Sequence, residues 1–271
     1  NYPSRVIATN KDTGKVAWET NMHDQEDVQL TAAVLAIKDK IIVGAAGGDR
    51  GVRDWIAGLD AKTGKELWRR YAIPAPGEPG SETWKDKTNA WKTGGGGMWQ
   101  TGSYDPASKL TIWGTGNPVP QYDPQSRPGD NLYTNSVVAL DVETGKLAWH
   151  YQYTPNDSWD YDENGVHMLY DLVIDGQARK VVGHFAPGRL VVGIDLLPER
   201  LLGLVEDDGE MGGRHPGRAL AHELQQLDAE QPHGAGRQAI GAIIVFRVLT
   251  DRLQIGAEDE GRAIDEKDMA A

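Results

Sequence analysis

Ala8-Thr-Asn-Lys-Asp-Thr-Gly-Lys-Val-Ala-Trp18, Gly58-Leu-Asp-Ala-Lys-Thr-Gly-Lys-Glu-Leu-Trp68 and Ala139-Leu-Asp-Val-Glu-Thr-Gly-Lys-Leu-Ala-Trp149 are three copies of one phrase. Each reads as a strand ending in a small residue, a tight turn in which Gly14, Gly64 or Gly145 takes the positive φ, and a second strand closing on Trp. Two strands cannot bury a face alone, so the unit calls for stacked antiparallel blades with each Trp free to dock on its neighbour. The expected fold is all-β, a β-propeller.

The rest of the composition narrows the function. With 271 residues the chain has ample material for a core, and its formal net charge of −12 leaves no Lys/Arg stripe to track phosphates, which argues against a nucleic-acid partner. There is no Cys, hence no disulfide framework or thiolate metal site. The longest apolar run, Ile240 to Val245 and its flanks, falls far short of the roughly 20 residues of a membrane span. The first residues enter directly into the first repeat without a signal peptide, as if the chain began mid-protein.

Composition breaks along the length. All nine Trp lie at or before Trp159 and all nine Tyr at or before Tyr170; beyond Phe185 only Phe246 is aromatic and the phrase does not return. A boundary near Ala186 therefore divides a propeller segment, 1–186, from a divergent tail, 187–271, expected to be poorly ordered or partly helical. Leu220, Leu224 and Leu227 fall at helical spacing within 218–230. The stretches 207–218 and 256–268 are polar and Gly-rich, and read as loop or disorder.

Trp18 to Trp68 spans 50 residues, Trp68 to Trp149 spans 81. The excess is long for a plain connection and is where function is expected. Four clusters stand out: Gly47-Gly-Asp49-Arg-Gly-Val-Arg53 after a strand at 40–44, with Thr31 upstream; Gly94-Gly-Gly-Gly-Met-Trp99, followed by a strand at 110–113 and Gly114-Thr-Gly-Asn117-Pro118; Arg127-Pro-Gly-Asp130-Asn131; and Thr154-Pro-Asn-Asp157-Ser-Trp159-Asp160-Tyr-Asp162. Each has a plain alternative. Asp130 and Asn117 could cap turns, Gly94–Gly97 could be a flexible loop, and Asp160 and Asp162 could be a solvated pair sharing one face of a strand. Against this, Asp49, Asn117, Asp160 and Asp162 are all hard oxygen donors at strand ends or turns, a set suited to a hard cation.

The runs Trp99-Gln-Thr-Gly-Ser-Tyr-Asp-Pro106, Trp113-Gly-Thr-Gly-Asn-Pro118, Arg127-Pro-Gly-Asp-Asn131 and Thr154-Pro-Asn-Asp-Ser-Trp-Asp160 resemble, in order and spacing, the pyrroloquinoline quinone (PQQ) dependent methanol/ethanol dehydrogenases. The resemblance covers roughly residues 1–186. It implies blades of an eight-bladed quinoprotein propeller, in a periplasmic enzyme that oxidises primary alcohols and passes electrons to a cytochrome c. By resemblance, Trp99 is the indole on which PQQ stacks, and Thr31 with the backbone of Ala46, Gly47 and Gly48 binds the quinone's carboxylates and carbonyls. Asp49, where the family commonly has Glu, and Asn117 are implied as metal ligands. Asp160 matches the base that takes the alcohol proton while hydride passes to the quinone, with the metal as Lewis acid. Asp162, two residues after the base, resembles the lanthanide-dependent branch, in which an additional carboxylate suits a trivalent ion; Ca²⁺ is the alternative.

The resemblance also exposes departures. Whole enzymes of this type run to roughly twice this length, and the adjacent Cys pair that covers the other face of PQQ is not in this sequence. After Val181-Val-Gly-His-Phe-Ala186 the family motif stops, together with Trp, Tyr and repeat, so the tail reads as a frameshifted or chimeric segment, or else as a genuine extension. Three functions compete: a fragment of a PQQ- and metal-dependent alcohol dehydrogenase, a truncated inactive enzyme, and a non-catalytic scaffold with similar Trp-docking repeats.

Overall fold

In all three repeats one side chain organises the turn. Oδ1 of Asn10, Asp60 or Asp141 accepts hydrogen bonds from the backbone N–H groups two and three residues on and from the hydroxyl of Thr13, Thr63 or Thr144, at 2.7–3.1 Å. Those turns join strands of a computed structural model that describes residues 4–174, 177–186, 189–195, 200–201 and 205–206. The strands are β1 (Arg5–Thr9), β2 (Val16–Asn21), β3 (Leu35–Ile37), β4 (Lys40–Gly44), β5 (Trp55–Asp60), β6 (Glu66–Tyr71), β7 (Ser103–Asp105), β8 (Leu110–Gly114), β9 (Ser136–Asp141), β10 (Leu147–Gln152), β11 (Met168–Ile174), β12 (Gln177–Ala186), β13 (Arg189–Asp195), β14 (Arg200–Leu201) and β15 (Val205–Glu206). They form antiparallel sheets: β1-β2; β3-β4-β5-β6; β7-β8-β9-β10; and β11-β12-β13, with β14 and β15 both on β13. These are the expected propeller blades.

Each phrase spans the two last strands of a blade, and each Trp is the third residue of its strand rather than the last, as the sequence reading had it. Trp18, Trp68 and Trp149 lie directly opposite the small residues Ala8, Gly58 and Ala139, followed by an irregularity in register at the same place each time. The small residue makes room for the indole: a Cβ on Gly58 would come within 2.5 Å of the Trp68 ring. The indole then reaches to the next blade. Trp18 Nε1 donates to Ala61 O at 3.0 Å and its ring covers Gly64, whereas Trp68 Nε1 donates to Val142 O at 3.1 Å and its ring covers Gly145. Trp149 is buried, and its N–H has no hydrogen-bond partner among the described residues.

Period-two alternation explains the interior. Central strands are buried on both faces, so β9 sends Val137 and Ala139 to one inter-blade core, with Leu110, Ile112, Trp149 and Val182, and Val138 and Leu140 to another, with Ile42, Ile56, Met98 and Trp113. A third cluster, Val6, Met22, Val43, Trp55, Ala57 and Leu59, joins the β1-β2 hairpin to the next blade. The excess length seen between Trp68 and Trp149 divides into two irregular segments, 72–102 before β7 and 115–135 before β9. Backbone pairing runs past the expected boundary near residue 186, since Phe185 and Ala186 pair with Leu190 and Arg189. The helical spacing at 218–230 and the polar stretches 207–218 and 256–268 lie outside the described residues.

The three turn glycines have nearly equal φ, +68°, +71° and +68°, but a Cβ at Gly14 would meet nothing within 4 Å, whereas at Gly64 and Gly145 it would sit 2.4 Å from a docked indole. Gly14→Ala should therefore carry only the left-handed backbone cost, about 1–2 kcal/mol. Gly64→Ala and Gly145→Ala should cost about 1–3 kcal/mol more by overpacking. Urea unfolding of the three variants measures this; equal losses would contradict inter-blade docking.

Candidate active site

The turn after β4, the two irregular segments, the stretch before β3 and the loop after β10 converge on one cleft of about 510 Å³, lined by Gln29, Thr31, Ala46, Gly47, Gly48, Asp49, Arg50, Gly97, Trp99, Asn117 and Asp162. Eight residues singled out from sequence (Thr31, Ala46, Gly47, Gly48, Asp49, Trp99, Asn117 and Asp162) are thus brought together. Arg50 and Gly97 belong to the quoted clusters without a role assigned to them, whereas Gln29 lies outside every cluster and reaches the cleft through its backbone pairing with Ala46.

Close backbone approach builds its walls. Gly94 to Gly97 are all buried, correcting the alternative of a flexible loop. Met98 N–H donates to Ala45 O at 2.8 Å, Gly116 N–H to Gly97 O at 2.7 Å and Gly96 N–H to Asn117 O at 3.0 Å, so the glycine run is wedged between the β4 end and the loop after β8. Side chains would block this: a Cβ on Gly95 would lie 2.7 Å from Asn117 O, and one on Gly116 would lie 2.7 Å from Asp162 Oδ1. Ala46 exchanges both backbone hydrogen bonds with Gln29, at 2.8 and 2.9 Å, so its N–H is already committed within the fold. The Gly48 amide is turned toward the Asp54 carboxylate behind the wall.

The carboxylates crowd one end. Asp162 Oδ1 accepts from the Asn117 N–H at 3.2 Å. Burial pushes the Asp162 pKa up to about 6, opposed by that amide and reinforced by Asp160, Asp49 and Asp157. Asp160 does not line the cleft. It lies beside it, at φ +67° in an irregular segment, so the picture of Asp160 and Asp162 sharing one strand face is corrected. Its Oδ2 accepts from the Tyr122 hydroxyl at 3.3 Å, and its buried Oδ1 has no hydrogen-bond partner among the described residues. Burial, then repulsion from Asp49, raises its pKa as well. Among the described residues no three Asp, Glu, His or Cys side chains gather into one metal-holding group.

Residues 5–186 match the family described as Glucose/ethanol/alcohol dehydrogenase, beta-propeller domain, whose cofactor is PQQ. The chain belongs to this family. It is 38 % identical over 197 residues to a quinohemoprotein alcohol dehydrogenase of Comamonas testosteroni, covering 68 % of this chain and 28 % of that protein. It is 38 % identical over 197 residues to methanol dehydrogenase [cytochrome c] subunit 1 of Methylorubrum extorquens (66 % and 31 %). It is 36 % identical over 199 residues to the lanthanide-dependent methanol dehydrogenase of the same species (66 % and 33 %). Among solved structures, it superposes on the Comamonas testosteroni enzyme with a TM-score of 0.71 at 34 % identity, covering 75 % of this chain and 32 % of that one. A europium-containing methanol dehydrogenase gives 0.64 at 31 % identity, covering 76 % and 42 %. The chain spans about a third of the length of the curated relatives it matches.

The residues present fit a flat, anionic cofactor beside a cation. Trp99 offers an aromatic floor, Ala46, Gly47, Gly48 and Gly97 give narrow walls, Arg50 gives positive charge, and Asp49, Asn117 and Asp162 give hard oxygens. Among the described residues no helix is long and apolar enough to cross a membrane.

Asp54 is outside the quoted clusters, and its one signal in the sequence is a charge opening the apolar run Asp54-Trp-Ile-Ala-Gly. It is fully buried, and neither carboxylate oxygen has a hydrogen-bond partner among the described residues. Oδ2 stands directly behind the cleft wall, 2.9 Å from where a Cβ of Gly48 would be and 3.1 Å from that of Gly97. Burial drives its pKa well above the ordinary carboxylate range, with the Gly48 amide opposing. A raised acid stabilises fully only below its unfolded pKa, and that contribution is lost as pH rises through the folded one. Asp54→Asn should therefore raise Tm at pH 7, with the gain vanishing near pH 4. Scanning calorimetry at both pH values checks this, and a lower Tm at pH 7 would show that the carboxylate has a charged role.

Proposed function

We propose that this chain forms part of a PQQ- and metal-dependent alcohol dehydrogenase that oxidises primary alcohols to aldehydes. The convergence of Thr31, Ala46, Gly47, Gly48, Asp49, Trp99, Asn117 and Asp162 on one cleft is the observation that carries the reading. A bare scaffold accounts for the docked Trp residues, but not for this cleft.

Trp99 supplies the stacking surface, and Thr31 with the amide of Gly47 fixes the cofactor's polar edge. Asp49, Asn117, Asp160 and Asp162 supply the ligand oxygens. Bound PQQ supplies a two-electron acceptor for the alcohol's hydride, and the ion supplies a Lewis acid beside it. Asp160, beside the cleft, takes the hydroxyl proton, and the Tyr122 hydroxyl on Oδ2 holds its carboxylate in orientation. Drawn together around an ion, the three carboxylates of Asp49, Asp160 and Asp162 against one neutral amide would favour a trivalent lanthanide over Ca²⁺. A periplasmic location and a cytochrome c acceptor belong to the same reading.

Titrating PQQ into the purified chain with La³⁺ should quench tryptophan fluorescence, with the response lost in Trp99→Leu. Asp162→Ala should weaken La³⁺ binding by about tenfold or more, since even residues outside the ligand shell commonly cost that much, and should affect Ca²⁺ less. Equal La³⁺ affinity in this variant would return the site to calcium.

A further inference from the structure

Arg127 is the one fully buried guanidinium among the described residues, at 0 % exposure. Among the described residues no carboxylate forms an ion pair with it, although those of Asp157 and Asp123 lie near enough to favour its charge. Its Nε donates to Pro120 O at 2.8 Å, Nη1 to Asn131 Oδ1 at 2.9 Å, and Nη2 to Gln121 O at 2.9 Å and to Asp157 O. A buried cation satisfied by three backbone carbonyls and an amide oxygen is an expensive way to hold a loop. The two loops it joins are informative.

One acceptor pair, Pro120 and Gln121, lies between Asn117 in the cleft and Tyr122, whose hydroxyl meets Asp160. The other loop begins at Asp157, itself buried, whose carboxylate accepts from the N–H groups of Trp159 and Tyr161, each at 2.9 Å. Those are the two neighbours of Asp160. Asn135 Nδ2 adds a bond to Asp157 Oδ2 at 3.0 Å. From the far side, Asn156 Nδ2 donates to Arg127 O, Gly129 O and Asn131 Oδ1 at 3.1, 2.6 and 3.1 Å. A single planar fork therefore ties the Asn117–Tyr122 loop to the Asp157–Asp162 loop, the two segments that carry Asn117, Asp160 and Asp162. Lysine could not do this, since a single ammonium cannot replace a fork with fixed directions.

We propose that Arg127 is a positioning residue that sets Asp160 and Asp162 against Asn117, acting through the Asp157 carbonyl on one side and the Pro120 and Gln121 carbonyls on the other. The fork limits how far the two loops can separate, and so fixes the spread of the Asn117, Asp160 and Asp162 oxygens. This rests on the metal-binding reading above, but the clamp has a signature of its own.

Two measurements on the full chain separate them. By amide hydrogen exchange without metal, Arg127→Lys should speed exchange at Trp159 and Tyr161 while Val138, in the β9 core, stays protected. Asn156→Asp, which removes the same clamp's side-chain donor while tolerating its positive φ, should do likewise if Arg127→Lys fails to fold. Unchanged exchange at both amides would overturn the proposal whatever the metal does. With Eu³⁺ as probe, Arg127→Lys should lose about 10–100-fold in affinity and its luminescence lifetime should shorten, as water replaces a displaced carboxylate. A lower Tm with the same Eu³⁺ affinity and lifetime would reduce Arg127 to a structural residue and also overturn it. If the unaltered chain binds no Eu³⁺, the metal reading fails, while the exchange result still decides the clamp.

Discussion

An indole laid across the glycine turn of the next blade is the contact on which the rest depends. Trp18 over Gly64 and Trp68 over Gly145 each combine a half-buried ring with one N–H···O=C bond, to Ala61 and to Val142. Neither half of the pair is useful alone. The turn must be glycine both for its φ and because the ring occupies the space of a Cβ, and the ring can leave its own sheet only because Ala8 or Gly58 faces it. Repeated, this fixes neighbouring blades in angle and height, and packs the alternating faces of β5, β8 and β9 into cores between them.

Fixed blades permit an irregular top. The segments before β7 and before β9 carry little regular structure, yet their glycines approach other backbones closely enough that they are held by the blades beneath. Gly97 and Gly116 share a backbone bond, and Gly116 leaves space for Asp162. Three features that would be costly in a simple scaffold coincide there: the fully buried Asp54 carboxyl without a hydrogen-bond partner among the described residues, the fully buried Arg127, and carboxylates close enough to Asp162 to reinforce its raised pKa. Departures from local stability of this kind concentrate at functional sites.

Much of this was legible in the sequence because the repeat is local. Thr-Gly-Lys after Asn or Asp encodes its own turn, and a Trp at constant offset encodes its own register. The cleft was legible in outline, since Asp49, Trp99 and Asn117 sit in motifs bounded by glycine. What stayed hidden depends on partners distant in sequence. Arg127 stood in a recognised motif, but its role needs Pro120 and Asp157, and Gln29 enters only through its pairing with Ala46. The strand-like alternation at 160–162 misled, because Asp157 captures the amides of Trp159 and Tyr161 that a neighbouring strand would otherwise use.

The central claim is that this cleft holds a planar cofactor and a cation side by side. Crystals of the chain grown with PQQ and La³⁺ test it most directly, by anomalous scattering from the lanthanum. The account predicts one dominant peak ligated by oxygens of Asp49, Asn117, Asp160 and Asp162, with planar density over Trp99. A peak elsewhere, or a cleft empty of both, would contradict it.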